Sequence, residues 1–214
     1  MKWLLASRPP QWLALLDTDL KRDFVEEARS QNTTTSAADP EAAAAEWRAF
    51  LELPDTVASD PLTDAQREAF TDAVGVEMPV ELEAILRVAN GAANANVEFM
   101  GSEQIIQTWQ GWQDIFDDWT LEDLTSGYRS PTGEAVGVYW CPGWIPLLDE
   151  RSGNHPAIDL IPGPKGTRNQ IVYAGAEESF SLRIIATDLA DFIRQQREHL
   201  SAEGYDRETD GDFY

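Results

Sequence analysis

Asp149, Glu150, His155 and Asp159 surround one strand-turn-strand unit, and together they carry the groups that could perform acid–base work or hold a divalent cation. The competing reading is local. Asp149 and Asn154 flank the turn residues Ser152-Gly153-Asn154, where Asx side chains commonly bond the backbone, and Asp159 is placed to anchor a neighbouring loop. That reading outweighs a metal or catalytic site. The chain has two histidines, His155 and His199, neither in a His-x-x-x-His spacing, and no Gly-x-Ser-x-Gly nucleophile motif. Gly163-Pro164-Lys165-Gly166-Thr167 lacks the leading glycine of a phosphate loop, and its proline removes a backbone donor, so a turn is expected. The single cysteine, Cys141, rules out an intramolecular disulfide and cannot alone build a thiolate metal site; a small packed side chain is expected. The expectation is a protein that is not an enzyme and has no cofactor and no metal.

A second group of residues suggests binding instead. Asp114, Asp117, Asp118, Glu122 and Asp123 are concentrated in a stretch with no lysine or arginine between Glu103 and Tyr128. Carboxylates near a helix C-terminus oppose the helix dipole, a small cost consistent with selection for binding, although a solvated helix end is the plainer reading. The whole chain is acidic: 38 Asp and Glu against 16 Lys and Arg leave a formal charge of -22. Such a surface repels phosphate backbones and anionic bilayers, so nucleic acid and membrane are disfavoured as partners and a basic protein is favoured. Acidity also serves solubility without any partner.

These groups are positioned by elements that the residue pattern predicts. A chain of 214 residues with 43% hydrophobic residues can bury a full core. Residues 61–200 are expected to form the main domain. Residues 1–60 form an N-terminal helical extension packed on it, and 201–214 an acidic tail. Trp3 to Ala6 is too short an apolar run for a signal or a membrane span, so a soluble, cytoplasmic protein is expected. The pattern predicts a helix over Trp12–Ala28, a polar connection over Arg29–Ala38, and a helix starting at Asp39-Pro40 and running to Leu51. Thr63-Asp64-Ala65-Gln66 is a capping-box pattern for a helix ending near Gly75, and another helix runs from Pro79 to Asn90-Gly91. Ser102 is expected to cap a helix whose Ile105, Trp109, Trp112, Phe116 and Trp119 recur at steps of four and three, a core stripe rather than a stacking platform for a sugar or base. Ala135–Trp140 and Ser181–Ala186 are strand-like, and Thr187 is expected to cap a last helix with Leu189, Phe192, Ile193 and Leu200 inward.

The segment Trp144 to Tyr173, WIPLLDERSGNHPAIDLIPGPKGTRNQIVY, contains strand-length runs at Trp144–Leu148, Ala157–Ile161 and Gln170–Tyr173 separated by turn residues. Its order resembles the Smi/Knr cell-wall-regulator superfamily, SUKH: a Trp-Ile-Pro strand, Gly-Asn, an Asp-Leu strand, a Pro-Gly turn and a Gln-Ile strand. The earlier helix led by Pro79 and closed by Asn90-Gly91 fits the same family. The resemblance spans about Thr63 to Leu200. It implies an α+β fold, with helices packed on a mostly antiparallel sheet, and a signature set Trp144, Pro146, Gly153, Asn154, Asp159, Gly163 and Gln170 with a structural role. It also implies a function without catalysis. Many bacterial members are similar to immunity proteins that neutralise toxins, often nucleases, and fungal members regulate cell-wall synthesis and signalling. The expectation is an immunity protein that occludes a basic cognate toxin, with the five carboxylates as its contact; the alternative is a regulatory scaffold of glucan and cell-wall synthesis.

Overall fold

The computed structural model describes residues 38–94, 96–120, 122–123, 133–148, 154–175 and 182–201. The helix expected over Trp12–Ala28, most of the polar connection that follows it, and nearly all of the acidic tail lie outside the described residues. Helix α1, Pro40–Leu51, begins where Asp39 Oδ1 accepts from the Ala42 amide at 2.9 Å, with proline in the first turn where its missing N–H costs nothing. Strand β1 is Val57–Ala58. In α2, Asp64–Val74, Thr63 and Gln66 cap each other reciprocally, and the chain leaves through Gly75 at φ 75°, a left-handed conformation that glycine adopts without strain. Helix α3, Val80–Val88, follows Pro79 and buries Leu82, Ile85 and Leu86.

Strands β2, Ala92–Ala93, and β3, Glu98–Phe99, precede helix α4, Ser102–Phe116. Gly101, not Ser102, is its N-cap. Ser102 is the first helical residue, fully buried, and its amide and hydroxyl bond to Asn90 Oδ1 and Nδ2 at 2.8 and 3.1 Å. The four-stranded meander is β4, Trp144–Pro146, β5, Asn154–Asp159, β6, Ile171–Gly175, and β7, Arg183–Ala186. Asn154, expected in a turn, is the first residue of β5 and pairs with Gly175. The last helix, α5, Leu189–Ser201, is capped by Asp188 rather than Thr187: the Asp191 amide donates to Asp188 Oδ1 at 2.8 Å.

All strand pairs are antiparallel, in the orders β1-β2-β3 and β4-β5-β6-β7. A bridge between Phe99 and Leu148 and a bond from the Met100 amide to the Leu147 carbonyl join the two sheets edge to edge. Neighbouring residues on β4, β5 and β6 alternate between two apolar clusters. Ile145, Ile158 and Ile171 face a large cluster with the helices, while Trp144, Ala157 and Val172 join a smaller one with Ala135, Val136, Val138 and Cys141. With both faces of the sheet covered, β5 is buried along its whole length, including the polar Asn154, His155 and Asp159. In the large cluster Trp47 stacks on Phe50 at 5.2 Å and meets the edge of Phe99 at 5.0 Å, and Phe99 packs on Phe192 of α5.

The strand expected over Ala135–Trp140 is not formed. Ala135, Val136, Val138 and Trp140 are buried, but Val138 N turns back on Val136 O, and just before the run Glu134 O accepts from the Gly163 amide and Gly133 O from the Lys165 amide. Among the described residues, no helix is long and apolar enough to cross a membrane.

Candidate functional site

Of the four residues that could form a catalytic or metal cluster, the structure describes His155 and Asp159. Asp149 and Glu150 lie outside the described residues. His155 and Asp159 are four residues apart on β5, roughly 13 Å along an extended strand, too far to share an ion. His155 is buried against the Trp112 ring, with centroids 5.2 Å apart, and burial lowers its pKa to about 4, so it stays neutral at physiological pH. Among the described residues, no group of three or more His, Cys, Asp or Glu side chains is placed to hold a metal. Cys141 is buried, and desolvation pushes its thiol well above the usual range, opposite to what a reactive nucleophile needs.

Asp159 instead belongs to a closed polar knot. Its Oδ1 accepts from the Ile161 amide at 3.1 Å and its Oδ2 from Gln170 Nε2 at 2.9 Å. The same Gln170 amide donates to Glu134 O at 2.8 Å, and Gln170 Oε1 accepts from the Thr167 amide at 2.8 Å. Glu134 O also takes the Gly163 amide at 2.9 Å. One glutamine therefore ties the β5–β6 turn to the 133–135 segment and to the buried carboxylate. Trp144 lies opposite Asp159 in the β4–β5 register; its indole N–H stops short of a formed hydrogen bond yet still favours the carboxylate. Burial dominates all the same and raises the Asp159 pKa to about 7, against the lowering effect of Gln170, Ile161 and Trp144.

Close approach explains the glycines of the turn. A Cβ at Gly166 would lie 1.9 Å from Glu134 O, and one at Gly163 2.5 Å from Gly133 O. Of the other residues expected to form the signature set, Pro146 pairs with Ala157 in the sheet and Asn154 is buried at the start of β5, while Gly153 lies outside the described residues. Asp159 is fully buried, so this knot organises the sheet and offers no surface to a substrate.

The acidic group is the opposite in character. The apolar stripe of α4 turns Ile105, Trp109 and Phe116 into the core, with the Trp109 indole donating to Pro142 O at 3.0 Å and Trp112 stacked on Phe116. That orientation forces Asp114, Asp117 and Asp118 outward, and all three are exposed. Asp117 is the helix C-cap, and the last turn holds no basic residue. Glu122 and Asp123 are exposed beyond it. Asp123 has a local role, because its Oδ2 accepts from the Thr120 hydroxyl at 2.6 Å and amide at 2.9 Å, bonds that lower its pKa. Ile115, 58% exposed, stands among these carboxylates. Residue-type reasoning passed over it because the flanking apolar positions of the same helix are core. The Asn90–Ser102 clamp was equally hidden, since it joins residues twelve apart that only the fold brings together.

The model of the family described as SMI1 / KNR4 family (SUKH-1) matches residues 61–195. The chain is 37% identical over 73 residues to a "KNR4/SMI1 homolog" of Kluyveromyces lactis, a match covering 34% of this chain and 14% of that protein. It is 33% identical over 94 residues to the "Cell wall assembly regulator SMI1" of Saccharomyces cerevisiae, covering 44% and 18% of the two chains. A "Glucan synthesis regulatory protein" of Neurospora crassa matches at 23% over 164 residues, covering 58% and 31%. The chain thus spans less than a third of the length of each of these relatives.

Proposed function

Since the chain belongs to the SMI1/KNR4 family (SUKH-1), we propose that it works by binding a basic protein partner, without a reaction of its own. The observation that carries this reading is the exposed acidic end of α4, where Asp114, Asp117 and Asp118 surround an exposed isoleucine and the last turn holds no basic residue. Charge of one sign steers a partner of the other and speeds encounter, while an apolar residue within the charged rim supplies the desolvated contact. The finer reading is an immunity protein that occludes a cognate toxin, a nuclease being a natural basic target. The buried, neutral His155 and the enclosed Asp159 support the non-catalytic part of this reading.

The test is a pull-down with the product of the adjacent gene, followed by growth rescue when that product is expressed alone and with this protein. Rescue by the wild type, with salt-sensitive binding that Asp114→Lys and Asp118→Lys together weaken at least about tenfold, is the expected result. Unchanged affinity and salt dependence in that double variant would remove the acidic end of α4 from the interface.

The names of the relatives favour a second reading, a regulatory scaffold of cell-wall assembly and glucan synthesis. It predicts altered glucan content and cell-wall stress sensitivity on deletion, with no toxicity from the neighbouring gene.

A further inference from the structure

Helix α4 carries two parallel rows of exposed residues at four-residue spacing: Gln107, Gly111 and Ile115 in one, and Gln110, Asp114 and Asp118, the last in the turn that continues the helix, in the other. Among the described residues nothing requires glycine at 111. A Cβ there would meet nothing within 4 Å, and its φ is not in the left-handed region, so neither packing nor backbone geometry calls for glycine. A glycine in the middle of an exposed helix weakens that helix relative to alanine. What it provides is a notch between two ridges, into which the ridge of a second helix can settle with close backbone approach. Ile115, one turn on and 58% exposed, is the adjoining apolar wall, and the Asp114–Asp118 row is the rim.

We propose that this outward face of α4 is a docking face for an α-helix of a partner protein, crossing at Gly111, with a small or apolar residue seated against Gly111 and Ile115 and lysines or arginines paired with Asp114 and Asp118. The inference rests on the reading above that the chain binds a basic protein, and it specifies the structure and placement of the bound segment. A helix fits because the two rows have the inclination that helix ridges interlock with, and it is basic because the exposed Asp114 and Asp118 stand in a stretch, Glu103 to Tyr128, whose sequence holds no lysine or arginine.

The experiment places a photo-reactive benzophenone side chain at position 115 of the full chain in growing cells, and at the exposed positions 57 and 80 as controls on other elements. The cross-linked protein is identified and its linked segment mapped by mass spectrometry, and the purified pair is then titrated with wild type and Gly111→Gln. The expected result is a cross-link from 115 but not from the controls, a linked segment that is helical and lysine- or arginine-rich, and a loss of affinity of at least about tenfold in Gly111→Gln. The same variant should be more thermally stable than wild type, because glutamine is the better helix former, so a folding defect cannot imitate the loss. Cross-links only from 57 or 80, a linked segment that is not a basic helix, or undiminished binding by Gly111→Gln would overturn this docking face and leave the protein-binding reading standing. No protein cross-link from any of the three positions would likewise overturn the docking face, whereas the protein-binding reading falls only if the pull-down and growth rescue described above find no partner.

Discussion

Replacing Asp159 by asparagine separates the electrostatic cost of the polar knot from its hydrogen bonding. The carboxyl is fully buried, and its pKa rises from an ordinary 3.8 to about 7, chiefly by desolvation. Folding therefore makes the group hold a proton that the unfolded chain has already released between these two values. The stability it contributes is fully present below the unfolded pKa and is lost as pH climbs through the folded one. At about 1.4 kcal/mol per pH unit the gap amounts to roughly 4 kcal/mol, of which about 3 kcal/mol falls between pH 5 and pH 8. Asparagine cannot ionise, but it offers one acceptor where aspartate uses two, towards the Ile161 amide and Gln170 Nε2. It therefore carries a constant penalty of about 1–3 kcal/mol for a donor left unmatched in the core. Urea unfolding of both proteins across pH 5 to 8 is the assay. The absolute curves also contain the general relief of charge repulsion on acidification, which is common to both and cancels in their difference. The wild type should lose stability relative to Asp159→Asn as the pH rises, by about 3 kcal/mol over the range. A difference that stays constant with pH would refute the argument, because it would mean that Asp159 is already ionised in the native state at pH 5.

Gly166→Ala forces a methyl to within 1.9 Å of Glu134 O, so the turn must move off the 133–135 segment; a loss of about 1–3 kcal/mol in urea unfolding is expected, without a change in m-value. Trp109→Phe keeps an aromatic ring in the core but removes the indole bond to Pro142 O, and should cost about 1–3 kcal/mol by the same measurement. Glu81 is buried at the start of α3, and desolvation first, then repulsion from Asp188 and Asp39, raises its pKa in spite of the bond from the Asp39 amide. Glu81→Gln keeps an acceptor for that amide and removes the charge, so calorimetry should show a higher Tm than wild type at pH 7 and a smaller gain at pH 4. Asp114→Lys touches only the exposed surface, and its stability should stay within about 0.5 kcal/mol of wild type whatever happens to partner binding.

Local chemistry was legible wherever it is settled by neighbours in the chain. Asp39 and Thr63 capped the helices expected of them, Gly75 closed one, and the stripe of α4 faced inward at Ile105, Trp109 and Phe116. Caps failed where a better-placed competitor stood one residue away: Gly101 displaced Ser102 because Ser102 was taken into the core by Asn90, and Asp188 displaced Thr187. The Ala135–Trp140 run shows the limit of apolar patterning. Burial was foreseeable from its composition, but a strand requires a partner strand for its backbone, and here Val138 N turns back on Val136 O while the preceding Gly133 and Glu134 carbonyls bond the 163–166 turn.

The candidate sites divide in the same way. Residue types alone established that the chain is strongly acidic, that hydrolase and phosphate-loop motifs are missing, and that a signature segment runs through Trp144–Tyr173, because these are properties of composition and order. Tertiary structure decided what each charged group experiences. Asp159 and Asp114 are the same side chain by sequence, yet one is enclosed between a sheet and a loop, bonded to Gln170 and pushed towards neutrality, while the other is turned to solvent by the helix stripe beneath it. The physical reason is that the cost of a charge depends on the dielectric and the donors around it, which packing sets across segments distant in the chain and no local pattern records.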